Sequence, residues 1–329
     1  MTTVRDSVRV SVLVPAKDEA ENLPEFLRQC DEMIRGASVP YEVIVVDDGS
    51  RDATHSILAT CAAKYPWLRT ARHRAQRGIA DALRTGFLAA RGDILVFYPA
   101  DLQFKPEDIP RLAQPILDGT SDMVTGFKQG HYDKAFVSKI YNGLSQSLFD
   151  IPVRDLNNVK AYRREIMADQ PVRPDWHRYM IVMAHARGYT VTEIPVPLYP
   201  RNAGKSKFGL SRIPIGVLDM LAVWFELRFG QKPLLAFGML GAALFAIGLV
   251  SGLAALVVLA VNGVGVRAVW TVVQTCLILG SIFFATGLLG EQIAVTRAEQ
   301  RELRRLVEDA AKPRDAVQPR DAVQAHDAT

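Results

Sequence analysis

At 329 residues, 49% apolar and 22% charged, the chain has the composition of an ordinary globular protein, with room for about two domains of ~150 residues each. A net charge of only +4, with no basic stretch interleaved with aromatics, argues against nucleic acid as a partner and suits anionic lipid headgroups instead. Cys30, Cys61 and Cys276 stand in apolar helical contexts without CxxC or CxxH spacing, which argues against a zinc site or a disulfide framework and fits a reducing compartment.

The first residues, MTTVRDSVRV, lack the charged-then-apolar plan of a signal peptide, so the soluble part is expected to begin and stay in the cytoplasm. Val8–Val14 is a β-branched run ending at Pro15, the pattern of a buried strand. Asn22 is placed to cap a helix whose Leu23, Phe26, Leu27, Cys30 and Ile34 share one face. Tyr41–Val46 predicts a second strand, with Asp47-Asp48-Gly49-Ser50 as its turn, and Ala53–Tyr65 a helix. A short strand at Leu68–Ala71 leads to a basic loop, a helix over Gly78–Ala90 and a strand over Ile94–Tyr98. Residues 122–200 continue with Met123–Gly126, an irregular polar section and Thr190–Val196.

Strands alternating with helices predict right-handed βαβ units around a mostly parallel sheet. Ligands of such sheets bind beyond the strand C-terminal ends. The polar clusters Lys17-Asp18-Glu19, Asp47-Asp48 and Asp101 with Gln103 all fall at those ends.

Ile213–Phe229 is apolar with sparse charges, and its Trp224, Phe225 and Phe229 suit a membrane interface. Leu234–Val261 and Ala268–Gly290 carry no charge and are each long enough to cross about 30 Å of hydrocarbon. Arg228 and Lys232 precede this hairpin, and Arg297, Arg301, Arg304 and Arg305 follow it, which predicts cytoplasmic termini. The tail repeats PRDAVQ and has too few apolar residues to pack. The expected organisation is a cytosolic domain over 1–211, interfacial amphipathic helices over 212–232, a transmembrane hairpin over 233–291 (234–261 and 268–290), and a cytosolic helix and disordered tail over 292–329.

Two chemical signals stand out. Asp47 and Asp48 repel each other unless a helix N-terminus, a metal or nucleoside donors compensate; a turn with a helix cap is the plainer alternative. Asp101 and Gln103, two residues apart after a strand, offer hard oxygen ligands suited to Mg²⁺ or Mn²⁺ held together with substrate phosphates.

VPAKDE, VVDDGSRDAT, the Arg77-Gly78 loop and PADLQ, in this order and spacing, resemble family 2 glycosyltransferases of GT-A fold. Within these the chain resembles the polyprenyl-phosphate glycosyltransferases over roughly residues 8–215, and the bacterial members' C-terminal hairpin beyond. The resemblance implies an α/β GT-A domain followed by interfacial helices and a two-helix transmembrane hairpin. It implies donor-nucleotide contacts at Pro15, Lys17, Glu19, Val46, Asp48, Ala100 and Lys128, and a cation, Mn²⁺ or Mg²⁺, on Asp101 and Gln103. Pro99 replaces the first aspartate of the family's DADLQ motif, leaving water or Asp48 to complete the cation's ligands. Arg201, Ser206 and Lys207, in RNAGKSK, match the acceptor-phosphate loop, and Asp155 in DLNN lies where relatives place an acidic group near the acceptor. Asp101 and Asp155 are therefore the candidate catalytic residues. Trp176-His177-Arg178 is placed to line the sugar or pyrophosphate site, with a purely structural His177 as the alternative.

The activity so implied is inverting transfer of a hexose from a UDP- or GDP-sugar to undecaprenyl or dolichyl phosphate, for cell-envelope glycan or glycoprotein synthesis. The partners are the nucleotide-sugar, the polyprenyl phosphate and the bilayer, with a flippase and self-association as further candidates. The location implied is the inner (plasma) membrane, multi-pass, with the catalytic domain cytoplasmic. A non-catalytic nucleotide-sugar- and lipid-binding scaffold for a flippase or another transferase is the alternative. A processive polysaccharide synthase is weakened by the small hairpin, since two spans do not readily enclose a polymer channel.

Overall fold

A computed structural model of the chain describes residues 8–129, most of 143–168, and residues 176–200, 213–263 and 267–311. Two compact units divide at Trp224/Phe225.

The first unit is built on a seven-stranded sheet of order β3-β2-β1-β4-β6-β5-β7. Its strands are β1 (Val10–Ala16), β2 (Tyr41–Asp47), β3 (Leu68–Arg72), β4 (Ile94–Phe97), β5 (Met123–Gln129), β6 (Lys160–Arg163) and β7 (Val191–Pro197). All strands run parallel except β6, which is antiparallel to both of its neighbours, β4 and β5. β2 is buried at every position, as a central strand covered on both faces must be.

β1 extends through Pro15 to Ala16, two residues beyond the predicted end. Its pairing with β4 stops at Leu13↔Phe97, while pairing with β2 continues to Ala16↔Asp47. Beyond Leu13 the β4 side makes no ladder bonds, so the N–H that proline lacks is not needed there.

The helices α1 (Leu23–Arg35), α2 (Thr54–Lys64), α3 (Ile79–Ala89) and α4 (Ile109–Leu117) connect the strands, and α5 (Arg164–Ala168) and α6 (Met180–Ala186) follow β6. One core, including Val12, Phe26, Val43, Tyr98 and Leu112, lies on one sheet face. The other, including Leu13, Ile44, Leu83, Leu95, Tyr162 and Tyr179, lies on the opposite face. Asn22 does not cap α1 with its side chain; Nδ2 donates to Glu19 at 2.7 Å, and Pro24 stands in the first turn, where its missing N–H costs nothing.

Helix α7 (Ile213–Phe229) contains the division between the units. The second unit is dominated by α8 (Pro233–Asn262) and α9 (Arg267–Ala311). Both are long and apolar enough to cross a membrane, and only 6% and 17% of their most apolar stretches are buried within the protein. α9 runs unbroken to Ala311, so the helix expected after the second span is continuous with it. The two helices touch at glycines: a Cβ on Gly241 would stand 2.6 Å from the Phe284 nitrogen. Glu291 Oε2 accepts the Leu234 N–H at 3.2 Å, satisfying a donor in the first turn of α8.

Candidate active site

Because β6 alone is reversed, the C-terminal ends of six strands and the N-terminal end of β6 share one edge of the sheet. That edge receives Lys17 after β1, Asp48 after β2, His73 after β3 and the 98–103 segment after β4. It also receives Lys128 from β5 and Asp155 from the approach to β6. Residues 198–200 leave β7 at the same edge. Arg201, Ser206 and Lys207, expected to hold the acceptor phosphate and next in sequence, lie outside the described residues.

The loops after β1 and β2 are stitched together. Lys17 Nζ donates to the Gly49 carbonyl at 2.5 Å, the Asp18 N–H to Ser50 Oγ at 2.9 Å, and the Glu19 N–H to Thr54 Oγ1 at 2.9 Å. The Arg51 N–H returns a bond to Asp18 Oδ1 at 2.8 Å, which holds the Asp18 carboxyl below its ordinary range although Asp18 itself has the left-handed φ of 54°. Pro15 and Val46 face each other as register partners in the last turn of this paired ladder.

Asp48 is 5% exposed, and its carboxylate organises the loop after β3. Oδ1 accepts the Arg77 N–H at 2.8 Å and lies 2.7 Å from His73 Nδ1; Oδ2 accepts the Gly78 N–H at 2.8 Å. Gly49, at φ 68°, lets this loop approach: a Cβ there would lie 2.7 Å from the Ala75 carbonyl carbon. The like charges of Asp47 and Asp48 are thus compensated separately, Asp48 by backbone amides and Asp47 by the Ser50 N–H at 2.8 Å and by Arg72 Nε at 3.3 Å. Asp48 is committed to the loop, which argues against its serving as a replacement cation ligand for the aspartate missing at position 99.

The loop after β4 is anchored by buried Tyr98, whose hydroxyl donates to the Lys105 carbonyl at 2.7 Å. Ala100 is buried, Leu102 adopts φ 58°, and Asp101 Oδ1 accepts the Gln103 N–H at 3.2 Å. Among the described residues no group of three or more His, Cys, Asp or Glu side chains could enclose a metal ion. Asp101 and Gln103 supply one carboxylate and one amide, a sparse set of hard oxygens. It fits a cation whose shell is completed by substrate phosphates and water rather than an all-protein cage.

Sequence reasoning placed Lys128 and Asp155 separately; the structure joins them, 3.2 Å apart, with Asp155 6% exposed. Glu193 of β7, which carried no sequence signal, fixes that segment by accepting the Arg154 N–H at 2.7 Å and the Asp155 N–H at 3.3 Å. Burial raises the Glu193 carboxyl above its ordinary value. Sequence reasoning also missed Lys160, a lysine 1% exposed at the start of β6. Its Nζ donates to the carbonyls of Leu156 and His177, each at 3.2 Å. His177 packs edge-on against Phe97 at 6.2 Å, and burial, aided by Lys160 and Arg178, pushes its imidazole down to about 3. A histidine neutral throughout the physiological range is a packing group, not a proton shuttle.

Residues 11–171 match the family described as Glycosyl transferase family 2. An undecaprenyl-phosphate 4-deoxy-4-formamido-L-arabinose transferase from Enterobacter sp. is 30% identical over 304 residues, 89% of this chain and 90% of the relative. The enzyme of the same name from Pseudomonas fluorescens is 30% identical over 248 residues, 73% of each chain. The fold is similar to that of glucosyl-3-phosphoglycerate synthase from Mycobacterium tuberculosis, solved with Mn²⁺, UDP and phosphoglyceric acid. The TM-score is 0.54 at 20% identity, over 67% of this chain and 78% of that one. The sheet topology, the ordered motifs along that edge and the 30% identity to these transferases over 73% and 89% of the chain converge: the chain is a glycosyltransferase and belongs to glycosyl transferase family 2, alongside its polyprenyl-phosphate glycosyltransferases.

Proposed function

We propose that this chain transfers a sugar from a nucleotide-sugar to polyprenyl phosphate at the cytoplasmic face of the inner membrane. The observation that carries the reading is the gathering of Lys17, Asp48, Asp101, Gln103, Lys128 and Asp155 at one sheet edge of a chain that also holds two membrane-length helices. The relatives' names support the lipid acceptor.

In this reading the stitched loops at residues 15–19 and 46–54, with the Asp48-held loop at 73–78, receive the nucleoside. Pro15, Lys17, Glu19, Val46, Asp48 and Ala100 line the donor's nucleotide. Asp101 and Gln103 would hold Mn²⁺ or Mg²⁺, which when bound offsets negative charge on the diphosphate. Lys128 adds a fixed positive charge toward the same group, and its pairing with Asp155 holds both in place.

An oxygen of the lipid phosphate attacks the anomeric carbon from the side opposite the leaving group. One carbon–oxygen bond forms to the acceptor phosphate, the bond to the nucleoside diphosphate breaks, and the configuration inverts. The attacking phosphate is already ionised at neutral pH, so Asp155 serves to orient the acceptor or its cationic contacts rather than to remove a proton. Arg201, Ser206 and Lys207 would hold the acceptor phosphate, Arg201 through its planar fork. Catalysis then rests on positioning and electrostatics.

Residues 234–261 and 268–290 would span the bilayer with both termini cytoplasmic. The relatives' sugar, a 4-deoxy-4-formamido-pentose, widens the donor class beyond the hexoses expected from the sequence.

The test is transfer by the purified full chain in detergent to undecaprenyl phosphate. Labelled UDP- and GDP-hexoses and a nucleotide-linked 4-deoxy-4-formamido-L-arabinose are each supplied with Mn²⁺, Mg²⁺ or EDTA. A lipid-soluble product from one donor, lost in EDTA, is expected. No organic-phase label from any donor, in protein that binds nucleotide, would sink the reading.

A further inference from the structure

Lysine is almost never fully buried unless something compensates its charge. Among the described residues Lys160 is the exception: it lies in the middle of the sheet, opposite Phe97 of β4 and Thr125 of β5, and is 1% exposed. Its two hydrogen-bond acceptors come from separate segments, Leu156 in the approach to β6 and His177 in the single turn Trp176–Tyr179. One side of this clamp immediately follows Asp155, and Asp155 pairs with Lys128 at 3.2 Å.

We propose that Lys160 is a positioning residue of the transfer reaction: its buried amine ties the Asp155–Leu156 segment to the Trp176–Tyr179 turn and backs the Lys128–Asp155 pair with positive charge aimed at the acceptor phosphate. The inference rests on the transferase reading above.

A purely structural role is a poor explanation. Burying an ammonium costs several kcal/mol, and a hydrophobic side chain of similar volume usually serves packing as well or better. The polar environment is also unfinished for a mere packing site. His177 Nδ1, Asn158 Nδ2 and Thr125 Oγ1 are buried without hydrogen-bond partners around the same strand start.

The charged and titratable groups that face Lys160 are Asp155, Lys128 and Arg178, with the His177 turn above it. Desolvation dominates and moves the Lys160 amine down to about 7, with Asp155 opposing the shift and Arg178 and Lys128 adding to it. Both carbonyl bonds survive deprotonation, because a neutral amine still has two N–H donors. The clamp therefore persists across neutral pH, while the charge behind Asp155 turns over.

The experiment compares the full-length wild type with K160Q, a neutral side chain that keeps donors, and K160M, which keeps volume alone. Kinetics of transfer to undecaprenyl phosphate are measured from pH 6 to 8.5, and folding is checked by thermal melting. In the wild type the KM for lipid phosphate is expected to rise with pH through the neutral range, with donor KM little changed. K160Q is expected to raise the lipid-phosphate KM by about tenfold, equivalent to 1.4 kcal/mol, and to abolish its pH dependence. K160M is expected to lower kcat as well, because the clamp is gone. Folded K160Q and K160M enzymes with wild-type KM, kcat and pH profile would overturn the proposal.

Binding of inorganic phosphate, a mimic of the acceptor headgroup, to the same three proteins by calorimetry provides an arm independent of turnover. Tighter binding at pH 6 than at pH 8 in the wild type, lost in K160Q, supports the proposal. Equal pH dependence in both overturns it. Wild-type protein that shows the phosphate-binding signature but transfers no sugar would refute the transferase reading alone.

Discussion

Asp48 Oδ1 lies 2.7 Å from Nδ1 of His73, and His73 Nε2 lies 2.8 Å from Thr85 Oγ1 on α3. This chain connects the end of β2, the end of β3 and the third helix, and the same carboxylate collects the Arg77 and Gly78 amides. The loop at 73–78 is thus shaped by one buried side chain.

Asp48→Asn keeps the size but turns one oxygen into an NH₂ group, which must face either a backbone N–H or the imidazole. Charge-assisted hydrogen bonds of this kind are worth about 1.5–3 kcal/mol, so nucleotide affinity is expected to fall by about tenfold or more. Titration calorimetry with UDP and GDP checks this. Unchanged affinity in a folded variant would remove the 73–78 loop from the donor site.

Much of this architecture is legible in the sequence, and the exceptions have physical causes. β1 and β2 are apolar, β-branched runs, and their loops carry carboxylates at strand ends, so this part of the edge could be read directly. Lys160-Ala-Tyr-Arg reads as polar irregular chain because its first and last residues are charged; only the fold shows that this lysine is buried in a central strand. The Lys128–Asp155 pair spans 27 positions, and Glu193 braces Asp155 from β7, so no local pattern announces either. Asn22 has the residue type of an N-cap, yet Glu19 claims its side chain.

In the proposed cation site Pro99 takes the place of a second carboxylate, and Asp48 is committed to the 73–78 loop. Pro99→Asp is therefore expected to lower the half-saturating Mn²⁺ concentration by about tenfold through one added hard oxygen ligand. Asp101→Asn, which removes the carboxylate already present, is expected to cut transfer by about a hundredfold and to make it insensitive to EDTA. Metal titrations of both variants decide. A Pro99→Asp enzyme with the parental Mn²⁺ requirement would show that position 99 does not face the cation.

His177 and Lys160 both favour the neutral form in the folded protein, and this gives stability a defined pH dependence. The His177 imidazole, held down to about 3 from 6.5, leaves the unfolded chain binding more protons between those values. Stability therefore falls as pH drops from 6.5 toward 3. The Lys160 amine, held down to about 7 from 10.5, leaves the unfolded chain more protonated across that window too. Its contribution therefore rises as pH increases from 7 toward 10.5. In thermal melts, the Tm of K160M relative to wild type should decline from pH 7 to pH 10. A constant difference would show that Lys160 does not lose its charge in the fold.

In a bilayer, lipid tails are as apolar as leucine, so two adjacent spans are held by close packing rather than by expulsion from water. The hairpin of α8 and α9 achieves that closeness with glycine. A Cβ on Gly241 would meet the Gly280 oxygen at 2.7 Å as well as the Phe284 nitrogen, and a Cβ on Gly280 would meet the Gly241 oxygen at 2.8 Å. These are backbone atoms, which cannot swing aside. At Gly252 the nearest atom is a Val273 side-chain methyl at 3.3 Å, which has room to adjust. Gly241→Ala is accordingly expected to destabilise the hairpin by about 1–3 kcal/mol, the usual range for overpacking, while Gly252→Ala costs less. Melting of both variants in detergent, with nucleotide affinity as the control for the sheet domain, measures the contrast. Equal Tm losses in the two would mean that the helices are not in backbone contact at Gly241 and Gly280.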